Sequence, residues 1–294
     1  MLNFGGFRPH KAKKGENMKN AIKLTVAVNM LFLVLFAVCS FFSGVTRQIV
    51  YFLAFAIPFV LGWGGAKRLR YQREEERGLA EADYPSLTLS RDGIKCFLPL
   101  AMPTVGIVYL VALLTSLLLN AIGASASTVA DAPLWEMLLV HALLPAVLEE
   151  AVFRYLPMKI LHPYSPRAAV LLSALFFSLI HLDLYKMPYA FIAGIVMMLA
   201  NVMTGSVLPS LIIHLVNNVA SILLMKYGAY PTFALIFYSV SGALVLVSLV
   251  FVFLERKDYL TRLRASLSGR MEYDKSVIVM AGMCVIYAVM NLFG

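Results

Sequence analysis

Charge is scarce in this 294-residue chain: Asp, Glu, Lys and Arg together make up 14% of it, against about 25% in ordinary soluble domains. Hydrophobic residues fill 61% and the mean hydropathy is +0.81. So few charges cannot coat a water-soluble surface, and the composition points instead to a polytopic membrane protein. Cysteine is almost absent as well. Cys39, Cys96 and Cys284 lie singly in or beside apolar runs, which offers neither a disulfide framework nor a thiolate metal cluster. There is no internal repeat, no low-complexity tract and no His-Glu-x-x-His helix.

What is present is a series of apolar runs of about the 20 residues that span a bilayer. Nine are expected, at 21–43, 48–66, 96–122, 133–160, 167–183, 187–204, 207–226, 231–254 and 276–293. The first follows a basic stretch, as a signal peptide would. Its apolar part is longer than a signal core and no small-x-small cleavage site follows, so it is read as a retained helix. The basic residues test the count independently. The N-terminal region through Lys23 and the loops 67–95, 154–167 and 255–275 carry 22 of the 25 Lys and Arg, while the opposite side keeps only Arg47, Lys186 and Lys226. This asymmetry predicts a cytoplasmic N-terminus and an outer C-terminus. It also assigns the net charge of +9 to lipid headgroups and topology, with no nucleic-acid partner. Four regions follow: a basic tail at 1–20, N-terminal membrane helices at 21–132 with the charged cytoplasmic loop 67–95, a core at 133–226, and C-terminal helices at 227–294 with the basic loop 255–275.

The stretch LLPAVLEEAVFRYLP at 143–157 departs from this economy of charge. An ionised side chain near the bilayer centre costs on the order of 2.5 to 3.5 kcal/mol, so Glu149, Glu150 and Arg154 need a compensation or a purpose. Glu150 and Arg154 are four residues apart and can pair on one helix face, whereas Glu149 points about 100° away from Glu150. The spacing therefore assigns one carboxylate to an ion pair and leaves the other available as a general base. Pro145 lacks the N–H that would bond to the carbonyl of His141, which predicts a bend just upstream. Glu136 and His141, nearer the outer end, read as interfacial or packing residues. Two later helices add polar groups: Phe177 and His181 four apart, and His214 and Asn218 four apart. One His in an apolar helix is ordinarily an interhelical hydrogen-bonder. Two His, a free Glu and an Asn on three helices are the material of a hydrolytic site.

In their order, Glu149-Glu150-x-x-x-Arg154, Phe177-x-x-x-His181 and His214-x-x-x-Asn218, preceded by TGSVLPSLII from Thr204, resemble the CAAX protease and bacteriocin-processing family. This family, also called Abi or CPBP, includes the type II CAAX prenyl endopeptidases. The resemblance covers about residues 133–226. It implies an all-α intramembrane endopeptidase in which Glu149 activates water, His181 positions that water and carries protons, and His214 with Asn218 stabilises the oxyanion. Arg154 would neutralise and orient Glu150, and Phe177 would be a wall residue.

The family has been described both as metal-independent and as metal-dependent. In the second case His181, His214 and Glu149 would bind zinc; in the favoured reading there is no cofactor, because Arg154 and Asn218 suit an activated water better than a zinc shell. The expected partners are membrane lipids and a peptide or protein presented at the membrane: a CAAX-type C-terminus, a leader peptide or a small membrane peptide. The bacterial plasma membrane is the expected location. A non-catalytic membrane module, such as a bacteriocin-immunity factor or scaffold, is the alternative. One geometric condition attaches to all of this. His181 lies about 21 Å along its helix from Arg167, so it meets Glu149 only if the fourth helix is long and the fifth is tilted or begins inside the headgroups.

Overall fold

The computed structural model describes residues 10–77, 84–122, 132–272 and 274–293. The first nine residues of the basic tail and residues 78–83 of the charged loop lie outside this set. The described residues are helical throughout apart from turns and one isolated bridge between Ser86 and Ser206. In chain order the helices are α1 (His10–Val38), α2 (Gly44–Arg77), α3 (Arg91–Ala121), α4 (134–161), α5 (Pro166–Leu179), α6 (Met187–Thr204), α7 (Leu208–Tyr227), α8 (Pro231–Leu254), α9 (Arg256–Ser266) and α10 (Lys275–Phe293). Here α4 is one continuous path of α-helical and π-helical turns.

Seven of these helices are long and apolar enough to cross a membrane: α1, α2, α3, α6, α7, α8 and α10. The protein is an integral multi-pass membrane protein. The sequence predicts nine spans, and the two that do not meet the same measure are informative. α4 is divided by π-turns, and α5 has only 14 residues, about 21 Å at 1.5 Å per residue. α5 stops at Leu179, and a non-helical turn at 180–186 leads into α6. Two stretches expected to be loops are partly helix: α2 runs on to Arg77, and α9 occupies the middle of 255–275.

The core gathers around α4, α5 and α6, flanked by α1 and α2 on one side and α3 and α7 on the other. The α5–α6 pair is close because its facing residues are small. Ala168, Ala169, Ala174, Ala190, Ala193 and Ala200 are all buried, and small residues let membrane helices approach closely. A Cβ at Gly194 would stand 2.9 Å from the Cα of Ala174. By contrast α8 turns Leu235, Leu246, Leu249 and Phe253 outward, which is the lipid-facing condition.

The segment after residue 83 ties the basic ends of the helices together. Ser86 N–H donates to the Gly205 carbonyl at 2.9 Å and Val207 N–H to the Ser86 carbonyl at 3.2 Å. Gly205 has φ +70°, the left-handed C-terminal cap that glycine adopts without a Cβ penalty. The Tyr84 ring stacks on His162 with centroids 4.5 Å apart, and Arg73 lies 4.9 Å over the Tyr164 ring while donating to its hydroxyl at 3.1 Å. The start of α7, which carries His214, is thereby anchored to α2 and α4.

Two outcomes follow from this packing. Gly194→Leu forces α5 and α6 apart, since the clash is with backbone, and overpacking of this kind costs about 1 to 3 kcal/mol; a lower melting temperature and reduced folded yield in detergent are expected, and an unchanged melting curve would refute the close approach. Burial pushes the His162 imidazole below its ordinary value of 6.5. The unfolded chain then takes up a proton that the folded chain resists, so this contribution to stability is present above the ordinary value and lost as pH falls through it. Thermal melts from about pH 7.5 to about pH 5.5 should show a steeper loss in the parent than in His162→Phe, which keeps the ring stack.

Candidate active site

α4 owes its shape to two prolines. Pro145 and Pro157 cannot donate to the carbonyls of His141 and Phe153, four residues earlier in each case. Each is preceded by a widened π-helical segment, Leu138–Leu143 before Pro145 and Ala151–Tyr155 before Pro157. At their ends Leu144 N–H reaches back to Leu139 and Leu156 N–H to Ala151, five residues each. Such bulges re-aim the side chains on a helix and free carbonyls for other partners. The freed Phe153 carbonyl accepts from Ser173 Oγ at 2.5 Å and from Arg154 Nη1 at 3.2 Å. The bend expected at Pro145 is realised as the first of these turns. Glu149 and Glu150 lie between the two.

His214, on α7, reaches both carboxylates. Its Nδ1–H donates to Glu150 Oε1 at 2.8 Å, and its Nε2 stands 3.7 Å from Glu149 Oε2. The two carboxylates leave the helix in different directions, as their adjacency requires, yet one imidazole spans them because its nitrogens point apart. Arg154 is fully buried. Its guanidinium lies 4.1 Å over the Phe177 ring, and its Nε is 3.8 Å from Glu150 Oε2. At that separation the contact is an ion pair without a hydrogen bond, and both atoms are without a hydrogen-bonding partner. The spacing predicts Arg154 as the partner of Glu150. In the fold the closer partner is His214, and the guanidinium acts at longer range from across the aromatic ring.

Phe177 is the hub of the remaining contacts. Its ring meets His181 edge-on at 5.1 Å and His214 edge-on at 5.5 Å. His181 Nδ1–H donates to the Phe177 carbonyl at 2.8 Å, which leaves Nε2 as the outward-facing nitrogen. His181, His214 and Asn218 line one cavity of about 90 Å³, walled by Phe177, Met197 and Ile213. Asn218 Nδ2 donates to the Ala142 carbonyl in the first π-segment at 3.4 Å. Glu149, Glu150, Arg154, Phe177 and His214 thus form one linked cluster, with Glu149 joined to it through His214. His181 and Asn218 meet Phe177 and His214 of this cluster around the cavity, while Glu149 and His181 make no direct contact. α5 ends at Leu179, two residues before His181. Glu136 and His141 face outward from α4, as expected of packing or interfacial residues.

Several contributors escape a reading of spacing alone. Asn217 lines the cavity with its buried Oδ1 unpartnered. Thr104 of α3 and Tyr189 of α6 complete the wall. Asn201 grips Ser210 twice, Nδ2 to Oγ at 2.8 Å and Oδ1 from Ser210 N–H at 3.0 Å, steadying the first turn of α7 beneath His214. A usable signal existed for Ser173 and Asn217. Ser173 stands four residues before Phe177 and eight before His181, on the same face of an apolar helix, and Asn217 is the first amide of an Asn pair. Thr104, Tyr189 and Asn201 carry no local signature.

Removing one member of a buried ion pair commonly costs about 3 to 5 kcal/mol, because the other charge is stranded. Arg154→Leu is therefore expected to lower folded yield sharply, and Arg154→Leu combined with Glu150→Gln to recover part of it. Equal yields for the single and double variants would sever Arg154 from Glu150.

Among the described residues, no three His, Cys, Asp or Glu side chains are placed to hold a metal ion. The His214 nitrogen nearest Glu150 is already spent in a hydrogen bond, and Arg154 and Asn218 supply a cation and an amide instead of further ligands. Comparison with known proteins gave one family match: residues 131–220 match the family model described as type II CAAX prenyl endopeptidase Rce1-like. The matched region runs from the start of α4 to most of α7 and contains every residue of the cluster, in agreement with the CPBP resemblance carried by the motifs. No curated protein and no solved structure matches the chain.

Proposed function

Starting from a 131–220 region similar to the type II CAAX prenyl endopeptidases, whose family implies a protease, we propose that this protein is an intramembrane endopeptidase using a carboxylate-activated water. Its substrate is a peptide bond presented at the membrane, in a CAAX-type C-terminus, a leader peptide or a small membrane peptide, and its location is the bacterial plasma membrane. The observation that carries the reading is the Glu149–His214–Glu150 bridge. A helix needing only a neutralised charge would be served by Glu150 with Arg154 and His214; a second carboxylate at 3.7 Å from the same imidazole has no structural purpose.

In this mechanism water sits between Glu149 and His181 Nε2. Glu149 accepts a proton as the water oxygen attacks the scissile carbonyl carbon, and the carbonyl oxygen gains the negative charge. His214 and Asn218 donate to that oxygen, a preorganised stabilisation for which single donors are commonly worth about 3 to 4 kcal/mol. The C–N bond then breaks and the proton held by Glu149 passes to the departing amine. Glu150 fixes the orientation of His214 through Nδ1, and Arg154 balances the charge of Glu150. No step of this mechanism is routed through a metal.

The test is cleavage of a mixed panel of fluorogenic peptides, prenylated CAAX and leader-like, by detergent-purified protein with and without chelator and added zinc. Glu149→Gln keeps the side-chain shape but cannot accept the proton. It is expected to fold normally and lose activity by at least two orders of magnitude, the usual worth of a positioned general base, with the parent indifferent to chelator. Loss on chelation restored by zinc would transfer His181, His214 and Glu149 to metal ligands. An active Glu149→Gln would remove Glu149 from the chemistry. Failure of the parent on the whole panel would favour the immunity or scaffold reading.

A further inference from the structure

His181 is the common wall of two cavities. One is the cavity of about 90 Å³ shared with His214 and Asn218. The other, of about 290 Å³, is bounded by His181, Asp183 and Tyr185 of the turn between α5 and α6, and by Tyr287, Ala288 and Asn291 of α10. Phe36, near the end of α1, closes one side. All of these lie at the end of the bundle opposite the start of α1. The turn exists because α5 stops after 14 residues, and it is polar: Asp183 pairs with Lys186 at 3.2 Å and accepts from Tyr185 N–H at 2.9 Å. Leu182 next to His181 has φ +51°, a left-handed conformation in which the chain doubles back instead of continuing the helix.

Hydrolysis consumes one water per turnover. The inner cavity has room for only a few, each occupying about 30 Å³, and on its α6 flank Tyr189 is followed by Ala190, Ala193 and Met197, the last three offering water no hydrogen bonds. His181 presents Nε2 without a protein partner, its Nδ1 being committed to the Phe177 carbonyl.

We propose that the polar vestibule between the 180–186 turn and the C-terminal half of α10 is the water-access route to the candidate active site, with the His181 imidazole as its inner door. Water reaches Nε2 from the vestibule side and is handed to the inner cavity. The inference rests on the peptidase reading for its purpose but on cavity geometry for its path. It gives α10, which lies outside the matched 131–220 region, a part in the reaction through the supply of its co-substrate.

The experiment narrows the vestibule after folding, so that misfolding does not intrude. Asn291→Cys protein, altered at an exposed position of the vestibule wall, is purified in detergent and treated with a small or a bulky methanethiosulfonate reagent; parent protein treated alike controls for Cys39, Cys96 and Cys284, all of which are buried. Two readouts are taken: peptide turnover, and deuterium exchange at the imidazole C2 position of His181 followed by mass spectrometry. The bulky adduct is expected to slow exchange at His181 several-fold and to lower kcat by about tenfold, equivalent to about 1.4 kcal/mol, with KM unchanged and recovery on reduction; the small adduct has little effect. Full modification with unaltered His181 exchange overturns the route, as does failure of the introduced thiol to react at all. Exchange at His181 is read whether or not any peptide is cleaved, so an inactive parent would count against the peptidase while leaving the route decided by exchange alone.

Discussion

The contact between His214 and Glu150, 2.8 Å long and almost wholly shielded from solvent, is the constraint around which the rest of this protein is arranged. A carboxylate in that position is tolerable only with a donor and a cation at hand, and both come from elsewhere: the imidazole from α7, the guanidinium from one turn further along α4. Once Nδ1 is committed to Glu150, the ring plane of His214 is set and Nε2 has one direction to face. Glu149 stands there. Phe177 fills the space beneath, offering its face to Arg154 and its edges to two imidazoles, so that a cation and two aromatic bases share one apolar support.

This arrangement would be out of reach of a straight α4. An unbroken α-helix repeats its contacts every 3.6 residues and bonds its own carbonyls. The prolines at 145 and 157 deny it two of those bonds, and the widened turns before them place spare carbonyls where Ser173, Arg154 and Asn218 collect them. In a bilayer interior such carbonyls are costly unless paired, which explains why the irregular part of α4 is packed against α5 and α7 while the smoothly helical α8 faces outward. The Asn201–Ser210 contacts and the Ser86–Ser206 bridge serve the same end from the basic side. They hold the short link between α6 and α7, and with it the height of His214.

The membrane character of the chain and the membership of the polar cluster were legible in the residues themselves. Long apolar runs, the skewed distribution of Lys and Arg, and the i, i+4 spacing of Glu150 with Arg154, Phe177 with His181 and His214 with Asn218 follow from local periodicity and the cost of charge in lipid. The count of spans was less legible, because hydropathy does not show where a helix ends and a turn begins. Residues 168–180 are apolar but for two serines, yet α5 stops at Leu179 and the chain doubles back at Leu182. The pairing within the cluster also escaped, since spacing ranks neighbours along a helix and takes no account of an imidazole arriving from another.

Sequence alone therefore determined solvent, helical class and which polar groups the apolar helices carry, since these depend on composition and on residues within a turn of one another. Only the tertiary structure decided that His214, and not Arg154, is the nearest partner of Glu150. It alone decided that His181 faces two cavities, and that Asn217, Thr104 and Tyr189 belong to the wall. The physical reason is the same in each case: these are contacts between helices, and their distances are set by where prolines, glycines and alanines let the backbones bend and approach, a property of the packed bundle that no single segment contains.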